Sequence, residues 1–358
     1  MHRTGDNASP ERVQTPDKAS FSPAPQVHAQ GAAARHAPGN GAGPAARTTD
    51  ATPIANAMTV DVEDYFQVSA FERYIDRADW DRLPCRVEGN VERILALFDE
   101  FGIKATFFTL GWIAQRYPAM VRRIVAEGHE LASHGWSHVR VTELDADAFR
   151  ADVVRTKSVL EDIGGCAVRG YRAPSYSIGA GNLWALRVLE ETGHRYSSSI
   201  YPIHHDLYGM PDAPRFAFTP EGCRQLVEVP VTTILLAGSK RPCGGGGYFR
   251  LYPYAYSRWA LRRVNRRDGR SAVFYFHPWE IDPEQPRQQG IGLKTRFRHY
   301  LNLRRVEQRL RRLAEDFRWA RMDQLFLHEF SGHGLFGGGL SPDRSLLEQK
   351  ELGHASRG

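Results

Sequence analysis

Cysteine is scarce in this chain, and what little there is lies scattered. Cys85, Cys166, Cys223 and Cys243 are far apart in 358 residues, with no CxxC pair. That argues against a disulfide framework and against a cysteine-built zinc site. Long apolar runs are also missing. No stretch approaches the roughly 18 apolar residues of a bilayer-spanning helix, and the longest, such as Val231 to Ala237, has the length of a core strand. Large apolar residues are nearly absent from 1–56, which is rich in Ala, Pro, Gly, Thr and His. Such a segment cannot bury enough surface to offset chain entropy, so it reads as a disordered tail. It has no apolar core of a secretory signal either, which makes the cytoplasm the expected location. The Gly-rich, polar stretch 331–358 reads as a second flexible tail. Residues 57–330 remain, enough for one large α/β domain.

Acidic residues are slightly outnumbered, 41 against 47 Lys and Arg, for a formal charge of +6. The excess gathers late, around Arg258, Arg262, Arg263 and the arginines from 304 to 318. Val306, Leu310, Leu313 and Phe317 are interleaved with these at i, i+4, i+7 and i+11. That is an amphipathic helix with a solvated basic face, and no nucleic-acid partner is expected.

Strand and helix patterns alternate. Thr59–Val62 reads as a buried strand ending in acids. Val91, Ile94, Leu95 and Phe98 fall on one helical face, with Gly102 as the stop. Residues 104–109 and 129–133 read as strands, with a short helix over 118–126 between them. Thr142 is placed to cap a helix carrying Phe149, Val153, Leu160 and Ile163, which Gly164 and Gly165 end. Strand patterns at 168–171, 226–229 and 272–276 and a helix over 182–192 follow. Such alternation predicts a parallel sheet with right-handed crossovers, a barrel of βα units.

The chemistry-bearing residues fall just after strand segments, positions that converge on one rim of such a barrel. His134 and His138 stand four apart after Glu130-Leu131-Ala132. Asp61, Glu63 and Asp64 end the first strand, and residues 61 and 63 share a side of it. Three neighbouring acids repel unless a cation or a basic residue sits among them. Two imidazoles and one carboxylate make a three-ligand site that leaves positions open for water and substrate. Zn²⁺ is the expected occupant, and Co²⁺, Ni²⁺ or Mn²⁺ also suit this donor set. Gly244–Gly247 lacks the Gly-Lys-Ser/Thr ending of a phosphate loop and reads as a flexible loop near the substrate groove.

Taken in order, Asp61-Val62-Glu63-Asp64, the His134/His138 pair, Arg172-Ala173-Pro174 and Phe276-His277 resemble the site segments of carbohydrate esterase family 4, the polysaccharide deacetylases of nodulation type. The runs Val60–Val68, His277–Pro283 and Gly292–Tyr300 resemble a subgroup encoded with exosortase-linked exopolysaccharide export, with a C-terminal helical extension over about 283–325. The resemblance implies a distorted (β/α) barrel and a metal-dependent N-deacetylase acting on N-acetylhexosamine units of a bacterial polysaccharide. Asp61 would be the general base, Arg172 its orienting partner and His277 the general acid. Glu63, His134 and His138 would hold the metal, with Asp64 as an alternative third ligand that strand geometry disfavours. Pro174, Ser175 and Tyr176 would meet the substrate, one backbone N–H serving the oxyanion. By residue type alone, Trp112, Trp136, Tyr176, Tyr201, Tyr248 and Trp279 could stack on sugar rings or equally belong to the core, Trp136 being taken for the substrate. The carboxylate that tunes His277 is not evident in Ser197-Ser198-Ser199, which leaves Glu280 or Asp282. Two other readings stay open: an amidase of this fold acting on a cyclic ureide, and an inactive glycan-binding subunit.

Overall fold

The computed structural model describes residues 53–327 except Leu207. The expected tails at 1–52 and 331–358 lie outside the described residues. Residues 55 and 56, expected to be tail, instead open the first strand, β1 (Ala55–Val62). Asn56 explains the earlier start. Its side chain exchanges hydrogen bonds with Asn265 at 3.1 and 2.7 Å and accepts one from the Ala272 N–H at 2.8 Å.

The chain then runs through α1 (Val87–Glu100), β2 (Thr106–Thr109), α2 (Gly111–Arg116), α3 (Pro118–Ala126), β3 (Glu130–Ser133), α4 (Ala146–Gly164), β4 (Gly170–Tyr171), α5 (Trp184–Glu191), β5 (Tyr196–Ser197) and β6 (Val227–Glu228). A hairpin follows, β7 (Thr233–Leu236) with β8 (Ser239–Pro242). The last part holds α6 (Gly246–Leu251), α7 (Tyr254–Arg263), β9 (Val273–Phe276), α8 (Leu293–Tyr300), α9 (Val306–Asp316), β10 (Arg318–Ala320) and α10 (Met322–Phe326).

Eight parallel strands form the main sheet in the order β10-β1-β2-β3-β4-β5-β6, with β9 also on β1. Apart from the half-exposed β10, every residue of these strands but Ala55 is buried. That fits parallel strands covered on both faces. Helices pack outside the sheet; Val91, Ile94 and Phe98 of α1 join Leu310 and Leu313 of α9 in one apolar cluster with Val60 and Phe107. This is an open, distorted (β/α) barrel, as expected.

Four local expectations change. The cap of α4 is Asp145, whose carboxylate accepts from the Ala148 N–H at 2.8 Å, and not Thr142. The stretch 231–237 is no core strand, because β7 lies in the separate hairpin with Leu235 44% exposed. Sequence reading missed β10, since Arg-Trp-Ala is short and half-exposed. The glycines at 244–246 form no loose loop. A Cβ on Gly245, which has φ +122°, would lie 1.9 Å from the Tyr275 carbonyl oxygen. Close approach to β9 therefore demands glycine there, and Gly246 opens α6.

Candidate metal and catalytic centre

The C-terminal ends of β1, β3, β4 and β9 converge, and each carries part of the site. Asp61 lies within β1 and Glu63 just past it; the two are only 2% exposed each. After β3 the chain turns sharply, with left-handed backbone at Gly135 (φ +75°) and His138 (φ +55°). This curl brings both imidazoles to one point, with ring centroids 5.4 Å apart. A β-carbon in this conformation is strained, and such outliers cluster at functional sites.

Ligand atoms of Glu63, His134 and His138 all lie within 4.8 Å of one another, and all three residues are buried. His134 Nδ1 is 2.8 Å from the Arg172 carbonyl. That contact fixes the tautomer and leaves Nε2 for a ligand. Burial pushes His134 down to about 4, against the pull of the Asp61 and Glu63 charges, so the ring is neutral as a ligand must be. His138 Nε2 stands 2.8 Å from Glu63 Oε2. Glu63 Oε2 accepts no well-aligned hydrogen bond, and it is buried. A buried carboxylate oxygen without a donor is costly in a metal-free protein, and a cation would complete it. The donor set therefore fits a divalent metal. Burial alone would raise Glu63, but the His138 and His277 charges outweigh it and hold Glu63 down to about 2.

Asp64 does not join this group. Its carboxylate accepts the N–H groups of Tyr65 at 2.8 Å, Arg86 at 2.5 Å and Val87 at 2.9 Å, pinning the start of α1. One carboxylate of the acidic run is structural, which removes it as the alternative ligand.

Asp61 pairs with Arg172, Nη1 to Oδ1 at 2.6 Å, and Arg172 is fully buried. Arg172 also donates to Thr59 Oγ1 at 2.7 Å, to the Ser198 carbonyl at 3.2 Å and to Ser198 Oγ at 3.1 Å. Ser198 of the serine run thus serves Arg172 and not His277. On the far side of Asp61, His277 Nε2 lies 3.9 Å from Oδ2 and 3.6 Å from Glu63 Oε1. His277 Nδ1 is 3.1 Å from Glu280 Oε2, and Glu280 Oε1 takes the Arg250 Nε–H at 2.5 Å. Burial opposes charge on His277, yet Glu63 and the Glu280 hydrogen bond raise it to about 9. Glu280, in turn, is held down to about 2 against its burial by Arg250 and His277. Asp282, the other suggested partner, pairs with Arg86. The sequence did carry a signal for Glu280: an acid at the third position of a Pro-started turn reaches back to the N–H of its cap, here His277 at 3.0 Å.

Pro174, Ser175 and Tyr176 cross the rim, with Ser175 and Tyr176 both left-handed (φ +54° and +52°). Ser175 Oγ meets Ser69 Oγ at 2.5 Å. Tyr176 is 5% exposed with its hydroxyl 3.5 Å from Asp61 Oδ2, so it walls the base. Trp136, expected on the sugar, is already packed. The Arg155 guanidinium lies 3.4 Å from its ring centroid, and Gly111 sits so close that a Cβ there would meet the ring at 2.4 Å. Trp279 is likewise no platform, being 4% exposed and donating its indole N–H to Glu63 Oε1 at 3.1 Å. Tyr201 is fully buried too.

An open (β/α) barrel that gathers two histidines and a carboxylate at its strand ends, beside an arginine-held aspartate, is an arrangement able to hold a divalent cation next to a carboxylate. Residues 79–197 match the polysaccharide deacetylase family model, and residues 198–327 match a domain of unknown function, DUF3473. Over that first stretch the chain is thus similar to polysaccharide deacetylases, and curated relatives that match part of it are named as peptidoglycan and chitooligosaccharide deacetylases. A peptidoglycan-N-acetylglucosamine deacetylase of Bacillus cereus is 34% identical over 82 residues, 23% of this chain and 30% of that protein. A chitooligosaccharide deacetylase of Rhizobium leguminosarum bv. trifolii is 35% identical over 68 residues, 19% of this chain and 32% of the relative. The chain spans about a third of the length of these curated relatives. Among solved structures, one from Mycobacterium smegmatis named for polysaccharide deacetylase superposes with a TM-score of 0.54 at 22% identity, covering 80% of this chain and 96% of that one. Puue allantoinase superposes at 0.51 with 17% identity, covering 78% and 91%. At these identities the likeness is one of fold. No helix among the described residues is long and apolar enough to cross a membrane.

Proposed function

We propose that the protein is a metal-dependent N-deacetylase that removes acetyl groups from N-acetylhexosamine units of a bacterial exopolysaccharide. The observation that carries this reading is the grouping of Glu63, His134 and His138 beside the Asp61–Arg172 pair, with His277 opposite. Glu63, His134 and His138 would hold the cation, Zn²⁺ being the best match to two imidazoles and a carboxylate. When bound, a divalent cation supplies Lewis acidity that polarises the acetamide carbonyl and acidifies water.

The chain's own residues do the rest. Asp61 accepts the proton of the attacking water, and Arg172 fixes its orientation. His277 delivers a proton from Nε2 to the departing amine while Glu280 holds Nδ1. The Tyr176 N–H is spent on the Ala173 carbonyl at 3.0 Å. We therefore assign the backbone donor for the oxyanion to Ser175, whose left-handed turn presents the main chain to the site. Acetate and a free amino sugar leave.

The test is to strip the full chain of metal and reload it with Zn²⁺, Co²⁺, Ni²⁺ or Mn²⁺. Acetate release is then measured on acetylated oligosaccharides, with a cyclic ureide as the contrasting substrate. Asp61→Asn should lower kcat by about 10²–10⁴ while the cation stays bound. Ureide cleavage without acetate release would replace this reading with the amidase, and metal binding without turnover on either would point to an inactive subunit.

A further inference from the structure

From the C-terminal segment, Trp279 reaches the metal ligand set without being a ligand. Its indole N–H is the donor to Glu63 Oε1, 3.1 Å away, across 216 residues of sequence. The other oxygen of the same carboxylate, Oε2, faces His138 and accepts no aligned hydrogen bond. The two oxygens of Glu63 are thus assigned to different tasks.

The ring that supplies this donor cannot drift. His277 stacks on one side at 5.2 Å with an interplanar angle of 18°, and His299 stacks at 4.3 Å and 13°. His299 is backed by Phe71 at 4.4 Å and bonded through Nε2 to Gln285 Oε1 at 2.7 Å. Gln285 Nε2 then donates to the Trp279 carbonyl at 2.8 Å. Arg250, which holds Glu280, also donates to the carbonyls of Arg298 and His299, fastening α8 to the same cluster.

Resting on the deacetylase reading, we infer that Trp279 is a positioning residue for the metal site: its N–H occupies Glu63 Oε1 so that only Oε2 is offered to the cation. The physical reason is twofold. An anionic oxygen buried without a donor is costly, so Oε1 would otherwise turn toward the cation or toward His277 Nε2, which lies 3.6 Å away. An indole N–H satisfies Oε1 without adding a charge, and it cannot accept or release a proton. Glu63 is thereby kept apart from the proton donor it neighbours. Partners that orient a ligand in this way commonly matter nearly as much as the ligand.

The experiment measures Zn²⁺ and Co²⁺ affinity by competition with a chromophoric chelator, together with the melting temperature of each cation-free protein. Three forms are compared: wild type, Trp279→Phe and His299→Leu. Trp279→Phe should weaken binding roughly 10- to 100-fold, whereas His299→Leu, which loosens the support of the ring but leaves the N–H, should cost clearly less. Should the phenylalanine variant fold poorly, replacing the Trp279 indole by benzothiophene removes the N–H and keeps the two-ring outline, with the same loss expected. Affinity unchanged by removal of the N–H overturns the inference, as does an equal loss in His299→Leu. Wild-type protein that takes up no cation at all would instead sink the functional reading itself.

Discussion

Residues 79–197 bring His134, His138 and Arg172 to the site on loops that directly follow parallel strands. Main-chain geometry does much of the placing there: left-handed turns at Gly135 and His138, and the Arg172 carbonyl on His134 Nδ1. Residues 198–327 bring one imidazole to the site, His277, and surround it with side chains that hold one another. Glu280 takes Nδ1, Arg250 takes Glu280, and Trp279 spans to Glu63. The first region gains its precision from the barrel rim, which any βα loop can reach. The second gains it from a buried, mutually satisfied polar cluster, where each member depends on the next.

That contrast can be broken at its strongest point first. His134→Ala should lose both cation and turnover, read as metal content and acetate release; retained stoichiometric metal would refute the ligand role. In the second region, Glu280→Gln should leave cation binding intact and lower kcat by roughly 10- to 100-fold. That range is the worth of one charged hydrogen bond, about 1.5–3 kcal/mol, expressed as rate. Should KM rise instead with kcat unchanged, Glu280 shapes the substrate groove and the contrast fails.

The smallest effect concerns the seam where the regions meet beneath the site. Glu130 of β3 accepts from Thr106 Oγ1 at 2.6 Å, from the Tyr196 hydroxyl at 2.9 Å and from the Asp323 N–H at the start of α10 at 3.1 Å. Burial, and then the Asp323 charge, raise it from 4.5 to about 7. The folded protein therefore holds this proton more tightly than the unfolded chain. Its contribution to stability is full below pH 4.5 and is lost as pH climbs through about 7. Glu130→Gln should remove that decline, so the variant-minus-wild-type melting difference shifts in favour of the variant between pH 4.5 and 7.5. A flat difference would show that the site carries no such linkage.

The two regions were also unequally legible in the sequence. Before residue 200, periodicity gave α1, α3, α4 and α5 and the strands β1 to β4 closely, since their apolar faces follow one period each and glycines stop the helices, but it missed the short α2 and β5. The His134/His138 pair and the Asp61–Glu63 run could be read because their chemistry is local in sequence. Asp64 was ambiguous beside Glu63, since only the path of α1 shows that its carboxylate is spent on three N–H groups. Trp279 was legible only as an aromatic for sugar and Arg250 not at all, because their contacts reach across 216 and 30 residues and neither has a local signature. Trp136 failed in the opposite sense: an aromatic beside a ligand looks like a sugar platform until Arg155 is found lying over it.

The first strand also has a consequence for how the molecule comes into being. β1 pairs with β9 along one edge and, along the other, with β10 at its first residues and β2 at its last, and Thr59 Oγ1 donates to the Phe274 carbonyl across 215 residues. During synthesis, the earliest strand to emerge must wait for the latest ones, holding a row of open N–H and C=O groups meanwhile. A polypeptide halted near residue 197 would possess His134, His138, both acids of the rim and Arg172, yet lack His277. Completion of the cluster thus coincides with burial of that edge, so the assembled site arrives together with protection from self-association.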